Sequence, residues 1–177
     1  MNPVIFTILI SISIILSITL IFLWSVYNSF IKSRNQVKTD YSDIDIQLHR
    51  KASLIEKLVS LVKEYAKHEK ETFENVSKAR SALDTSKNIK DKAKAEDLLS
   101  QSLRSVYAVI ESYPKLQAND NYTHIINELK STENLIAKYR EDYNRTVQQY
   151  NNLVLTFPNL FAANLFKFKE EELFQTK

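Results

Sequence analysis

The chain has 177 residues and a formal net charge of +3, from 24 basic and 21 acidic side chains. It contains no glycine, which excludes phosphate-cradling loops, dinucleotide fingerprints and the nucleophile elbow, because each needs a backbone at positive φ or in close approach. It contains no cysteine either, which excludes disulfides, thiolate metal sites and a cysteine nucleophile.

The first element is an uncharged run from Val4 to Val26. At about 1.5 Å per residue it makes a helix of roughly 35 Å, enough to cross a hydrocarbon core about 30 Å thick. A cleaved signal would carry a basic leader, a shorter apolar core and small residues at its cleavage site. No Lys or Arg precedes this run, and Trp24-Ser25-Val26-Tyr27 stands where the small residues would be. The expectation is a retained transmembrane helix over 4–26 behind a short outer segment, 1–3. Lys32, Arg34 and Lys38 follow the run, so the positive-inside rule predicts a single-pass protein of the cell membrane, N-terminus outside and body in the cytoplasm. With no ionisable group inside the run, a transport pathway is disfavoured.

The body, 27–158, reads as an all-α antiparallel helical bundle. From Val37 through Tyr41, Ile44, Leu48, Ala52, Ile55, Val59, Val62, Ala66, Phe73 and Val76 to Leu83, apolar residues recur by steps of three and four. The spacing predicts one long helix continuing from the membrane to about Leu83, with a break near Ser53 as the alternative. The polar stretch 84–88 ends it. A second helix is predicted from about Asp91 to Tyr113, stopped by Pro114. A third, capped by Asn119-Asp120-Asn121, carries the clearest pattern: Tyr122, Ile126, Leu129, Glu133, Ile136, Arg140, Tyr143, Val147, Tyr150, Val154 and Phe157. That period of 3.5 is the seam of a bundle or a coiled coil. The tail 159–177 is aromatic, and the run Leu153 to Phe166 is too short to span a second time. It is expected to fold back on the bundle, with docking in the lipid interface as the alternative.

No catalytic, cofactor or metal residue emerges. His68-Glu69 has Thr72 where a zinc-binding helix needs its second histidine. Di-iron bundles need Glu three residues before His, but Ile46, Tyr65 and Asn121 precede His49, His68 and His124. Interleaved charges leave no stripe for nucleic acid. The candidates are structural polar residues. Glu69, Glu133 and Arg140 fall on core stripes and are expected to be partly buried and paired across helices, with Arg80 and Glu111 as further partners. Asn144 and Asn151 follow Tyr143 and Tyr150 at a seven-residue repeat, with buried tyrosine rings and asparagines bonding across the bundle as the expectation.

The segments Tyr27-Asn28, Ile44-Asp45-Ile46-Gln47-Leu48, Lys63-Glu64-Tyr65-Ala66-Lys67-His68-Glu69 and Glu111-Ser112-Tyr113-Pro114-Lys115-Leu116-Gln117-Ala118-Asn119 stand in order along the chain. With Thr132-Glu133-Asn134, Tyr143-Asn144, Tyr150-Asn151 and Phe157-Pro158, they make the soluble region resemble the LemA family of bacterial membrane proteins. The resemblance implies one span, a four-helix-like body and no activity with residues to carry over. The chain departs from the family pattern at Glu56, where a proline is usual, and at Glu64, where a glycine is usual; both changes favour unbroken helix.

The function expected is that of a non-enzymatic scaffold or interaction module at the inner face of a bacterial membrane. It would hold the bilayer through 4–26 and bind membrane or cytoplasmic proteins, with a second copy of the chain as a further candidate partner. A tethered sensor of a small ligand is the alternative, and a cryptic metalloenzyme a weaker one.

Overall fold

An uninterrupted helix, α1, covers Pro3–Tyr65 in the computed structural model of the chain, which describes residues 3–175. Met1 and Asn2 of the expected outer segment, and Thr176 and Lys177 of the tail, lie outside the described residues. α2 (Lys70–Thr85), α3 (Ile89–Glu111), α4 (Pro114–Gln117), α5 (Asp120–Leu155) and α6 (Asn159–Phe166) follow, with no strand among the described residues. The chain is all-α.

The N-terminal part of α1 is long and apolar enough to cross a membrane. Its large apolar side chains, Val4 to Phe22, are exposed. Thr7, Ser11, Ser17 and Thr19 instead donate their hydroxyls to carbonyls three or four residues earlier, at 2.8–3.0 Å. Polar groups turned back on the helix and apolar groups turned outward suit a hydrocarbon solvent.

The chain divides into two compact units, one of which joins Met1–Lys38 to Arg145–Glu171. Its buried residues are Val26, Phe30 and Val37 of α1, Val147, Tyr150 and Val154 of α5, Ala162 and Ala163 of α6, and Phe168. The stripe predicted to reach Phe157 does not: α5 stops at Leu155, and Phe157 is 81% exposed. Past the helix end, the helical period no longer sets where a side chain points. α6 closes on Lys167 in the left-handed conformation, φ 60 and ψ 33. The Lys167 N–H donates to Asn164 O at 3.3 Å and the Phe168 N–H to Ala163 O at 2.9 Å, the two bonds of a Schellman cap. Glycine is usual there; a lysine bears a cost of about 1–2 kcal/mol. The turn brings Phe168 against Tyr27 and Phe30, at ring-centroid distances of 5.8 and 4.9 Å.

The other unit joins Thr39–Asn144 to Glu172–Lys177. Here the predicted single helix to Leu83 is corrected. α1 passes through Ser53, whose hydroxyl donates to His49 O at 3.0 Å rather than capping a new helix. It ends at Tyr65, and α2 begins at Lys70 after a four-residue turn without Pro or Gly. Lys63 Nζ lies 5.2 Å from the Phe73 ring, Glu56 pairs with Arg80, and His49 faces Asp84 at 3.4 Å. Numbers fall along α1 as they rise along α2, so the two helices form an antiparallel hairpin. A straight helix would leave the apolar face of α2 uncovered. Folded back, Phe73, Val76, Ala79 and Leu83 are all buried.

The same reasoning orients the rest of this unit. Asp45 meets Lys92 and Lys51 meets Ser100, so α3 runs parallel to α1. Tyr41 meets Tyr143, and Arg50 approaches Glu128, so α5 runs antiparallel. α1, α2, α3 and α5 are therefore an up-down-up-down four-helix arrangement. α3 starts two residues earlier than predicted, because Asn88 caps it: its Oδ1 accepts the Asp91 N–H, and its amide donates to the Asp91 carboxylate, both at 2.8 Å. It ends at Glu111, and Pro114 opens α4 as a first-turn proline.

Candidate functional site

The polar residues of the 39–144 unit gather into two seams. In the first, α1 supplies Lys51, α3 supplies Glu96 and Ser100, and α5 supplies Glu133 and Arg140. Lys51 Nζ is 2.9 Å from Ser100 Oγ and 3.5 Å from Glu133 Oε1. Arg140 Nη1 is 3.5 Å from Glu96 Oε1 and its guanidinium lies 5.3 Å from the Phe174 ring. Each pair has one deep and one shallower member: the Lys51 side chain is 3% exposed against 48% for Glu133, and Glu96 is 9% exposed against 30% for Arg140. Burial pushes the Glu96 carboxyl above the usual carboxylate range. Arg140 and Lys51 oppose that shift, while Asp97 and Glu133 add to it. Glu96 Oε2 meets no hydrogen-bond donor among the described residues. Burial, then Glu133 and Tyr122, also push the Tyr107 hydroxyl up to about 12.

The second seam links α1, α2 and α3. Lys92 Nζ sits 2.6 Å from Asp45 Oδ1 and donates to Leu83 O at 3.3 Å. Asp45 is 3.6 Å from His49 Nε2, whose Nδ1 is 3.4 Å from Asp84. Asp84 is 3.6 Å from Arg80, which reaches Glu56. Basic and acidic side chains therefore alternate through this seam from Lys92 to Glu56.

Of the residues singled out from sequence, Glu133 and Arg140 lie in the first seam and Arg80 in the second. Glu69 is the residue before α2 and makes no side-chain cap bond, and Glu111 is exposed at the end of α3; neither joins a seam. Asn144 and Asn151 bond to tail backbone rather than to facing helices. Asn151 accepts the Glu171 N–H and donates to its carbonyl, both at 2.9 Å. Asn144 does the same to Phe174, at 2.8 and 3.1 Å. Tyr143 donates its hydroxyl to Glu172 O at 2.8 Å. Sequence reasoning missed Lys51, Lys92 and Glu96, the deepest charges. Their signal was position: Lys51 falls between Leu48 and Ile55, and Lys92 and Glu96 stand four residues apart leading to Leu99.

An open cavity of about 440 Å³ is lined by Lys63, Lys67, Lys70, Phe73, Glu74 and Ser77 and contains no residue of either seam. Among the described residues, no three His, Cys, Asp or Glu side chains are grouped to hold a metal ion. The seams thus present charge to charge within the protein, an arrangement suited to fixing helix register.

These features define an all-α protein with a first helix apolar over its N-terminal part and a helical body crossed by ion pairs. The profile of the LemA family matches residues 40–177, and the chain belongs to that family. It is similar to magnetosome protein MamQ 2 and magnetosome protein MamQ 1 of Paramagnetospirillum magneticum. Each is 27% identical over 177 aligned residues, covering 85% of this chain and 65% of the relative. Magnetosome protein MamQ of Magnetospirillum gryphiswaldense is 25% identical over the same shares. The chain thus spans 65% of the length of these curated relatives.

Proposed function

We propose that the chain is a membrane-anchored, non-enzymatic scaffold of the LemA family. In this reading α1 holds it in a bacterial membrane, and its helical body recruits or organises partner proteins on the cytoplasmic side. The observation that carries the reading is α1 itself, a single helix from Pro3 to Tyr65 whose apolar half is exposed and whose polar half belongs to the four-helix arrangement. The seams support it, because each of their deep charges faces a partner within the protein and stands apart from the open cavity beside Phe73. The relatives are named for a cellular structure rather than a reaction.

The test is purification of the full chain from detergent-solubilised membranes, with co-purifying proteins identified by mass spectrometry. Retention of the chain in membranes washed at alkaline pH, and a reproducible partner that is lost when the body is deleted, are the expected results. Release of the chain by the alkaline wash refutes the anchor; stoichiometric metal binding or turnover by the purified chain refutes the scaffold.

A further inference from the structure

Among the described residues, none covers the outer face of α6. Phe161 and Leu165 stand four residues apart on one face, 69% and 63% exposed, and Phe157 continues the line at 81%. The Phe157 and Phe161 rings meet edge to face at 6.0 Å. The opposite face is closed, with Ala162 and Ala163 buried. No charged residue or histidine occurs between Arg145 and Lys167, whereas an amphipathic surface helix of a soluble protein carries charge outward. The position of this face is fixed by aromatic contacts. The Tyr27 ring, one residue past the apolar run, meets Phe166 at 5.0 Å, edge to face. Trp24, one turn earlier, is exposed.

We propose that α6, with Phe157, is a second membrane contact: a short helix lying in the headgroup layer beside the point where α1 leaves the hydrocarbon. The inference rests on the reading of α1 as a membrane helix. If Trp24 and Tyr27 mark the headgroup level, the contact at Phe166 puts α6 at that same level, within the 5–10 Å or so over which interfacial helices bury their apolar faces. A helix of this length extends about 12 Å, enough for Phe161 and Leu165 to reach acyl chains while Lys167 stays with the headgroups. The occupant is lipid and the attraction is burial of apolar surface.

The test uses the full chain reconstituted in vesicles of phosphatidylcholine with a minority of phosphatidylglycerol. A single cysteine at Phe161→Cys, or at Leu165→Cys as a second variant, carries an environment-sensitive dye; the native chain has no cysteine to compete. Trp24, the only tryptophan, reports the anchor in the same sample. Expected are a blue-shifted dye and loss of most emission from both dye and Trp24 when the lipids carry bromine near the top of the acyl chains. Trp24 quenched with the dye fully hydrated overturns the second contact and leaves the anchor standing. A blue-shifted dye that bromolipid does not quench means another protein surface, such as a second copy, covers α6, and also overturns it. Unquenched Trp24 removes the anchor and the inference together.

Discussion

The deep members of the first seam set what single substitutions do. Glu96 and Lys51 are each shut away from water, so their charge is supported by protein partners. Arg140→Met removes the cation at 3.5 Å from Glu96 and its contact with Phe174. Breaking a pair with one buried partner costs about 3–5 kcal/mol, and the partial exposure of Arg140 puts the expected loss at the low end of that range. The double variant Arg140→Met with Glu96→Gln recovers much of it, because no buried charge is then left alone. Lys130→Met, on an exposed position, stays within about 0.5 kcal/mol of the parent. pH separates electrostatics from packing. The folded Glu96 carboxyl titrates above its unfolded value, so its contribution to stability is full when protonated and is lost as pH rises through the folded pKa. Without Arg140 the shift is larger. Thermal melts of the full chain in detergent therefore show Arg140→Met gaining on the parent as pH falls through the folded pKa of Glu96, a gain that Glu96→Gln abolishes. Equal losses for Arg140→Met alone and for the double variant would sink the pairing.

Helices and loops were legible because the chain writes them in apolar spacing and caps. The end of α2 and the starts of α3 and α5 fall at polar segments, each with an asparagine placed to cap the next helix. The turn at 66–69 was not legible: the stripe continues through Ala66 to Phe73 in register, and only the burial of α2 against its neighbours demands reversal. Local sequence thus favours one long helix, and tertiary packing makes two. The tail was half legible. Its aromatics are visible in sequence, but which of them face protein is decided by the left-handed turn at Lys167 and by the two asparagines of α5. Seven helical residues rise roughly 10.5 Å, and three residues of extended chain cover about 10 Å, so the spacing of Asn144 and Asn151 suits that of Phe174 and Glu171. Each asparagine satisfies one backbone N–H and one carbonyl. Asn144→Leu and Asn151→Leu each leave those groups unpaired at a cost of about 1–3 kcal/mol. The measurable outcome is a lower melting temperature and faster tryptic cleavage after Lys167 and Lys169, with Asn152→Leu, at an exposed position, as the control. Cleavage rates unchanged from the parent would mean that the clamps do not hold the tail.

At the scale of the whole molecule, the fold class and the long apolar helix follow from composition: zero glycine, three prolines and a sustained helical period leave little else. If α1 spans a membrane as proposed, the side on which the body lies is a separate question, governed by basic residues close to the span rather than by fold. Lys32, Arg34 and Lys38 lie within four turns of Val26, inside the distance over which basic residues orient a helix. Arg34 is paired with Glu171 at 3.0 Å in the folded protein. That pair does not weaken the signal, because orientation is set during insertion and acidic residues contribute little to it. The body is therefore expected in the cytoplasm. The cysteine-free chain offers a direct test: Lys87→Cys, at an exposed position between α2 and α3, adds a single thiol. A membrane-impermeant maleimide should leave it unlabelled in intact cells and label it once the membrane is permeabilised. Replacing Lys32, Arg34 and Lys38 together by glutamine weakens the bias and raises labelling in intact cells. Full labelling of the parent Lys87→Cys chain from outside would reverse the topology, placing the body and its partners on the outer face.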